Sequence, residues 1–416
     1  MDFNLLQYAW QAATVLSRRG RNCMNTLHRS IYQINTRVWL QSLSAKYGRP
    51  ISLSNVPEEE LQRIALLGFD WLWLLGIWRT SDLGRQIALE LPEMRQVYQE
   101  TLPDFQVEDI CSSPFANTGY VVSPDLGGEH GLGLLRERLR AQGMRLLLDF
   151  IPNHTARDHP WLTLHPDFYI TGSEDQLRSQ PYNYGRVPGT DKVYAFGRDP
   201  FFQGWSDTFQ LNYGNPLLQE AMRAELTQVA ELCDGVRCDM AMLVLPEVFE
   251  NTWGIEMQPF WGTAIDETRA IQKDFIFMAE VYWDLEWSLQ EQGFDYTYDK
   301  RLYDRLLAQE ARPVREHLLA GLEYQSRLVR FLENHDETRA AVAFPPQVHL
   351  AAAFDARLHN EVFKTMATAL TAERREQVAL TKQEELHEQL IDNTLAQLYE
   401  EYIKQAQRHV SSAATG

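Results

Sequence analysis

Residues 235–243 read GVRCDMAML, a run apolar enough for a buried strand that nevertheless carries Arg237 and Asp239 two positions apart. Side chains of an extended strand alternate between its faces, so Arg237 and Asp239 point one way while Val236, Cys238 and Met240 point the other. Burying either charge alone is expensive, so a pair kept in such a place must serve something. Three more apolar runs end in polar residues. MRLLLDFIPNH supplies Asp149, Asn153 and His154, FIFMAEVYW supplies Glu280, and RLVRFLENHDE supplies His335 and Asp336. Two carboxylates whose surroundings push their proton affinities apart provide one anion and one acid. Arg237 beside Asp239, and Glu280 between apolar Ala279 and Val281, are placed for that split.

The elements that must hold these residues follow from periodicity. Short β-rich runs begin at Ile34 (INTRVWL), Phe69 (FDWLWLLG), Met144, Gly235, Phe275 and Arg327, with a weaker one at Phe294 (FDYTYDK). Between them, EHGLGLLRERLRAQG and NPLLQEAMRAELTQVAELC repeat apolar residues at helical spacing. Strands apolar on both faces, alternating with helices, predict a parallel sheet covered by helices. No GxGxxG follows the first strand and no GxxxxGK[ST] occurs, so a (β/α) barrel is favoured over a dinucleotide-binding sheet. In such a barrel, the C-terminal strand ends face the site, which is where the polar residues fall.

These four segments, in this order, resemble the four short motifs of the alpha-amylase family, glycoside hydrolase family 13. The resemblance covers roughly residues 30–346. It implies an α/β fold, a (β/α)8-type TIM barrel, with Asp239 as nucleophile and Glu280 as general acid/base. Asp336 would be the carboxylate that holds the sugar and stabilises the transition state. Arg237 would orient Asp239, His154 and His335 would bind sugar hydroxyls, and Tyr120 would stack under the reacting ring. Asn153 matches an asparagine that ligates calcium in many relatives; no cofactor is otherwise implied. The implied function is retaining hydrolysis, or transfer, of alpha-glucosidic bonds in malto-oligosaccharide-like substrates. A retaining glycosidase needs one ionised and one protonated carboxyl about 5 Å apart, which agrees with the charge split read from the residues.

Composition narrows the partners. A formal charge of -18, from 39 Lys plus Arg against 57 Asp plus Glu, would repel a phosphate backbone, so nucleic acid is not expected. Four cysteines without CxxC spacing fit a reducing compartment, and the basic residues near the start follow its apolar part, opposite to a secretory signal. With no apolar stretch near about 18 residues, a cytoplasmic chain without a membrane span is the expectation.

Two regions depart from a plain barrel. Residues 155–215, rich in Pro, Gly, Asp and aromatics, read as a loop-rich subdomain inserted after the third strand. Its rings Trp161, Tyr169, Tyr182 and Tyr184, with Trp205 and Trp253, are candidates for stacking on sugars. Residues 347–416 lack Pro and Gly up to Gly416 and read as a helical C-terminal extension with an apolar face suited to covering an open barrel or to self-association. Residues 1–346 would then form the catalytic barrel, incomplete in that no eighth strand and no C-terminal β domain are recognisable. Met242 and Leu243 stand where many amylases carry a Lys-His pair on the acceptor side. A catalytically silent barrel, serving as a sugar-binding or protein-interaction module, is the alternative function.

Overall fold

Trp71, Leu72, Trp73, Leu74 and Leu75 are all buried, and five consecutive residues with no wet face belong inside a sheet covered on both sides. The computed structural model describes residues 29–345, apart from Pro103 and Pro188. The described residues fall into two compact units. One runs to Val281 and takes in Glu291–Asp295; the other comprises Tyr282–Gln290 and the residues from Tyr296 onward.

The first unit is built on five parallel strands: β1 (Ile31–Asn35), β2 (Trp71–Leu75), β3 (Arg145–Phe150), β4 (Gly235–Cys238) and β5 (Ile276–Ala279). Each pairs with the next in chain order, through Ile31 opposite Trp71, Trp71 opposite Arg145, Leu147 opposite Gly235 and Gly235 opposite Ile276. A doubly wound sheet would reverse direction at a switch point; an order that only advances, with helices Gly128–Ala141, Pro216–Leu232 and Trp261–Ile271 between strands, is the path of a (β/α) barrel. Gly235 lets three strands meet, because a Cβ there would lie 2.7 Å from the Ile276 carbonyl oxygen. Just before it, the Asp234 carboxylate accepts from Arg136 at 2.8 Å, Arg140 at 2.6 Å and the Leu146 N–H at 2.9 Å, fixing the register of β3 against β4.

The first expected strand needs correction. The chain is extended over Ile31–Asn35 and then helical over Thr36–Tyr47, so TRVWL is helix and not strand. The reason is local: the Asn35 side chain accepts from the Val38 N–H and caps a helix that Gly48 ends in the left-handed conformation.

Residues between β3 and β4 belong to the first unit. They form two short antiparallel pairs, His154–Ala156 with Thr208–Gln210 and Tyr184–Arg186 with Val193–Ala195. Tyr169, Tyr194, Phe196 and Phe209 pack there ring to ring at 5.5–5.9 Å, and the Arg157 guanidinium lies 5.1 Å from the rings of both Phe196 and Phe209.

In the second unit, β6 (Tyr296–Tyr298) runs parallel to β7 (Leu328–Val329). Leu302, Tyr303, Leu306, Val314, Leu318 and Phe344 form its core. The run expected from Arg327 gives only this two-residue strand. Among the described residues there are seven parallel strands of the barrel type, five in the first unit and two in the second, and none follows Val329. The expected helical extension lies outside the described residues. Among those described, no helix is long and apolar enough to cross a membrane.

Candidate active site

The barrel ladder itself brings the acidic residues together. Arg237 sits opposite Asp149 on β3 and Met278 on β5. One step further, the Asp239 N–H donates to the Phe150 carbonyl at 2.8 Å and the Glu280 N–H to the Cys238 carbonyl at 3.0 Å, so both carboxylates stand just past the last regular ladder bonds. The chain then turns sharply: Met240 takes a left-handed conformation, φ 44°, and donates its N–H to Glu280 Oε2 at 2.7 Å. A non-glycine residue in that region costs on the order of 1–3 kcal/mol, spent here on a bond to a site carboxylate.

Arg237 is completely buried and gathers the carboxylates. Its Nη1 lies 2.5 Å from Asp239 Oδ1 and 3.6 Å from Asp149 Oδ1, and its Nη2 lies 2.7 Å from Glu280 Oε2. Trp73 and Phe115 flank the guanidinium at 5.5 and 5.1 Å. A planar fork is the side chain that can grip two carboxylates at once. Arg237 serves not Asp239 alone, as its sequence neighbourhood suggests, but also Glu280, whose apolar strand neighbours therefore do not define its surroundings. Burial pushes the Asp149 carboxyl up to about 7 against the pull of Arg237, and neighbouring Asp239 adds to the rise. Asp149 was visible in the sequence as a strand-end acid, but nothing in one dimension marked it as a third member of this cluster.

Tyr120 is fixed beside the cluster. It lies on strand Asn117–Val122, its hydroxyl donates to the Ile151 carbonyl at 2.9 Å and accepts from the Ile151 N–H at 2.8 Å, and its ring stacks on Phe150 at 5.3 Å. Trp78 meets the Tyr120 ring edge-on at 5.3 Å and donates its indole N–H to the Asp149 carbonyl at 2.8 Å. His154 is buried next to Trp205, ring centroids 5.1 Å apart, in a space left by Gly197, where a Cβ would fall 2.9 Å from that of His154. Burial lowers His154 to about 4 although Asp207 opposes the shift, so its imidazole is neutral near pH 7 and can both donate and accept.

His335 and Asp336 belong to the second unit. Asn334 shapes their turn by accepting from the Asp336 and Glu337 N–H groups, each at 2.9 Å, and His335 Nε2 lies 3.2 Å from Asp336 Oδ2. Within the same unit, Asp299 binds His317 at 2.8 Å and Arg330 at 3.1 Å, a buried hub that sequence patterning did not reveal.

The other expectations divide. Tyr169 and Tyr184 are buried in the packed segment, and Trp253 takes the Arg198 guanidinium at 4.5 Å; Tyr182 is exposed. Phe201 and Phe202, in the same inserted segment, are more exposed than any of these. Met242 and Leu243 are core residues of the turn Ala241–Val244. Asn153, the expected calcium ligand, accepts on its Oδ1 from the Gln210 amide at 2.9 Å; among the described residues no group of three His, Cys, Asp or Glu side chains is placed to hold a metal.

Known proteins resemble this chain in sequence and in fold. The family model described as "Alpha amylase, catalytic domain" matches residues 110–371. The chain is similar to Alpha-amylase 3 of Dictyoglomus thermophilum, 23% identical over 250 residues, which is 54% of this chain and 46% of that protein. It is also similar to an alpha-glucosidase of Apis mellifera, 28% identical over 192 residues, 40% of this chain and 32% of that one. A crystal structure of an alpha-amylase from Lactobacillus plantarum shares the fold with a TM-score of 0.52 at 23% identity, over 77% of this chain and 66% of that chain. The chain thus spans less than half the length of these curated relatives.

Proposed function

Because the chain belongs to the alpha-amylase catalytic-domain family, we propose that it is a retaining glycoside hydrolase or transglycosylase acting on alpha-glucosidic bonds of malto-oligosaccharide-like substrates. The observation that carries this reading is the single guanidinium of Arg237 holding Asp239 on one nitrogen and Glu280 on the other. Carboxylates gripped by one fork stay close together, as a retaining pair separated by about 5 Å must, whereas an inverting pair leaves roughly 6.5–9.5 Å for a water.

In this mechanism the Asp239 carboxylate, its Oδ1 held by Arg237, attacks the anomeric carbon. Glu280, whose Oε2 accepts from both Arg237 and the Met240 N–H, delivers a proton to the leaving glycosidic oxygen. The glycosidic C–O bond breaks as the Asp239–carbon bond forms. Glu280 then takes a proton from water, or from a second sugar hydroxyl, whose oxygen displaces Asp239 and restores the α configuration. Tyr120, locked to the Ile151 backbone, offers its ring to the sugar, and neutral His154 offers a hydrogen bond. By the family resemblance, Asp336 would serve as the transition-state carboxylate and His335 as a ligand of sugar hydroxyls.

The second reading, a silent barrel that binds sugar or a protein, draws on the absence of any strand after Val329 among the described residues. Incubating the full chain with α-glucans, malto-oligosaccharides and aryl α-glucosides separates the two. Products whose first-formed NMR signal is the α anomer support the enzyme; binding without any product supports the silent barrel, and a β-anomeric product would defeat the two-step mechanism.

A further inference from the structure

Gln210 is completely buried at the end of strand Thr208–Gln210, opposite His154. Its Nε2 lies 2.9 Å from the Asn153 backbone oxygen, 2.9 Å from Asn153 Oδ1 and 3.1 Å from the Leu211 oxygen, while its Oε1 accepts from Asn153 Nδ2 at 3.1 Å. An amide nitrogen has two protons, and here they are shared by three oxygens. Three oxygens converging on one electropositive centre in a dry interior is the surrounding that a bound cation normally creates.

A cation does not suit these oxygens as they stand. Calcium takes six to eight oxygens at about 2.3–2.6 Å, usually with carboxylates among them. The oxygens here are two backbone carbonyls and one carboxamide, all neutral, and no acidic cluster of three accompanies them among the described residues. Reversing the Gln210 amide would add Oε1 to the three oxygens and set its nitrogen against Asn153 Nδ2, donor facing donor. Without a cation, that arrangement leaves buried acceptors facing one another, whereas the orientation seen here lets the amide nitrogen itself satisfy the three oxygens.

We propose that the Gln210 carboxamide replaces a metal ion in this chain: its nitrogen braces the segment that follows β3 to strand Thr208–Gln210, and this part of the fold stands without calcium. Hydrogen–deuterium exchange of the full chain, in millimolar calcium and in chelator, tests this directly. Peptides containing Asn153 and Gln210–Asn212 should exchange equally in the two conditions; calcium-dependent protection of either peptide would overturn the proposal. Gln210→Glu supplies the missing charge. That variant should melt lower than the parent in chelator and recover by several degrees when calcium is added, as a ligand that binds only the native state requires. A folded Gln210→Glu protein indifferent to calcium would show that the three oxygens are no cation cradle and would also overturn the proposal. Should Gln210→Glu not fold, the exchange of the parent peptides decides alone. Neither measurement uses catalytic activity, so the outcome is independent of the proposed reaction.

Discussion

Arg237 Nη2 lies 2.7 Å from Glu280 Oε2, so the guanidinium bonded to Asp239 also holds Glu280, the proposed acid, just past the next strand. Both contacts depend on a planar fork. Arg237→Met leaves Asp149, Asp239 and Glu280 buried without their cation, and a loss of about 3–5 kcal/mol in urea unfolding is expected. Arg237→Lys keeps a charge but offers one point instead of two. It should unfold closer to the parent than the Met variant does, yet turn over an aryl α-glucoside about 100-fold more slowly, the scale of a small misplacement in a site. Parent-like turnover in Arg237→Lys would show that the shared fork is incidental.

Asp239→Asn and Glu280→Gln should differ in kind. Removing the proposed nucleophile should abolish turnover of every substrate with little change in melting temperature. Removing the acid should cost about 100- to 10,000-fold on maltosides and far less on aryl glucosides, whose leaving groups need little protonation. Equal losses on both substrates in Glu280→Gln would exclude Glu280 as the acid.

Asp149 gives a pH signature. Burial raises its carboxyl to about 7, while an unfolded aspartate titrates near about 4. Between those values the folded chain holds a proton that the unfolded chain has released, so this group's contribution to stability falls as pH rises through the window. His154 and His159, both lowered to about 4 by burial, tilt the total the other way between there and the ordinary histidine range. The comparison must therefore be variant against parent. Asp149→Asn, a permanent mimic of the neutral acid, should gain on the parent from pH 4.5 to 7 by up to about 1.4 kcal/mol per unit. A difference in urea unfolding that stays constant across that range would contradict the assignment.

In the second unit, Asp299 is held below the ordinary carboxylate range by His317 and Arg330, which outweigh its burial. Its stabilisation is present above the unfolded pKa and disappears as pH falls through the folded one. Asp299→Asn should cost about 3–5 kcal/mol near pH 7 by leaving buried Arg330 without its anion, and the deficit should shrink in acid. Chemical unfolding at pH 7 and pH 3 measures both.

Much of this was legible in one dimension because barrel chemistry sits at strand ends. Asp239 and Glu280 each fall one residue past a buried strand, and the apolar runs that announced β2 through β5 announced them as well. Periodicity reports burial and not hydrogen bonding, which is why Thr36–Leu40 read as strand: Val38 and Leu40 are β-compatible, and only the Asn35 cap turns them into a helix. The run ending ENHDE read as one long strand for the same reason, whereas Asn334 folds its polar end into a turn. Contacts between distant segments left no local trace. The pairing of Asn153 with Gln210, 57 positions away, and the approach of Asp149 to Arg237 depend on register, which no single run contains.

The proposed reaction requires Asp239 to form a bond to the sugar, and the most direct measurement is to trap it. An activated fluorosugar of the α-glucosyl series, whose electron-withdrawing fluorine slows the second step, should add one glycosyl mass to the full chain. Peptide mapping should then place that mass on the fragment containing Asp239. Turnover of the same reagent with the label on another carboxylate, Asp149 or Glu280 for example, or with no labelled intermediate under conditions that slow the second step, would contradict the central claim.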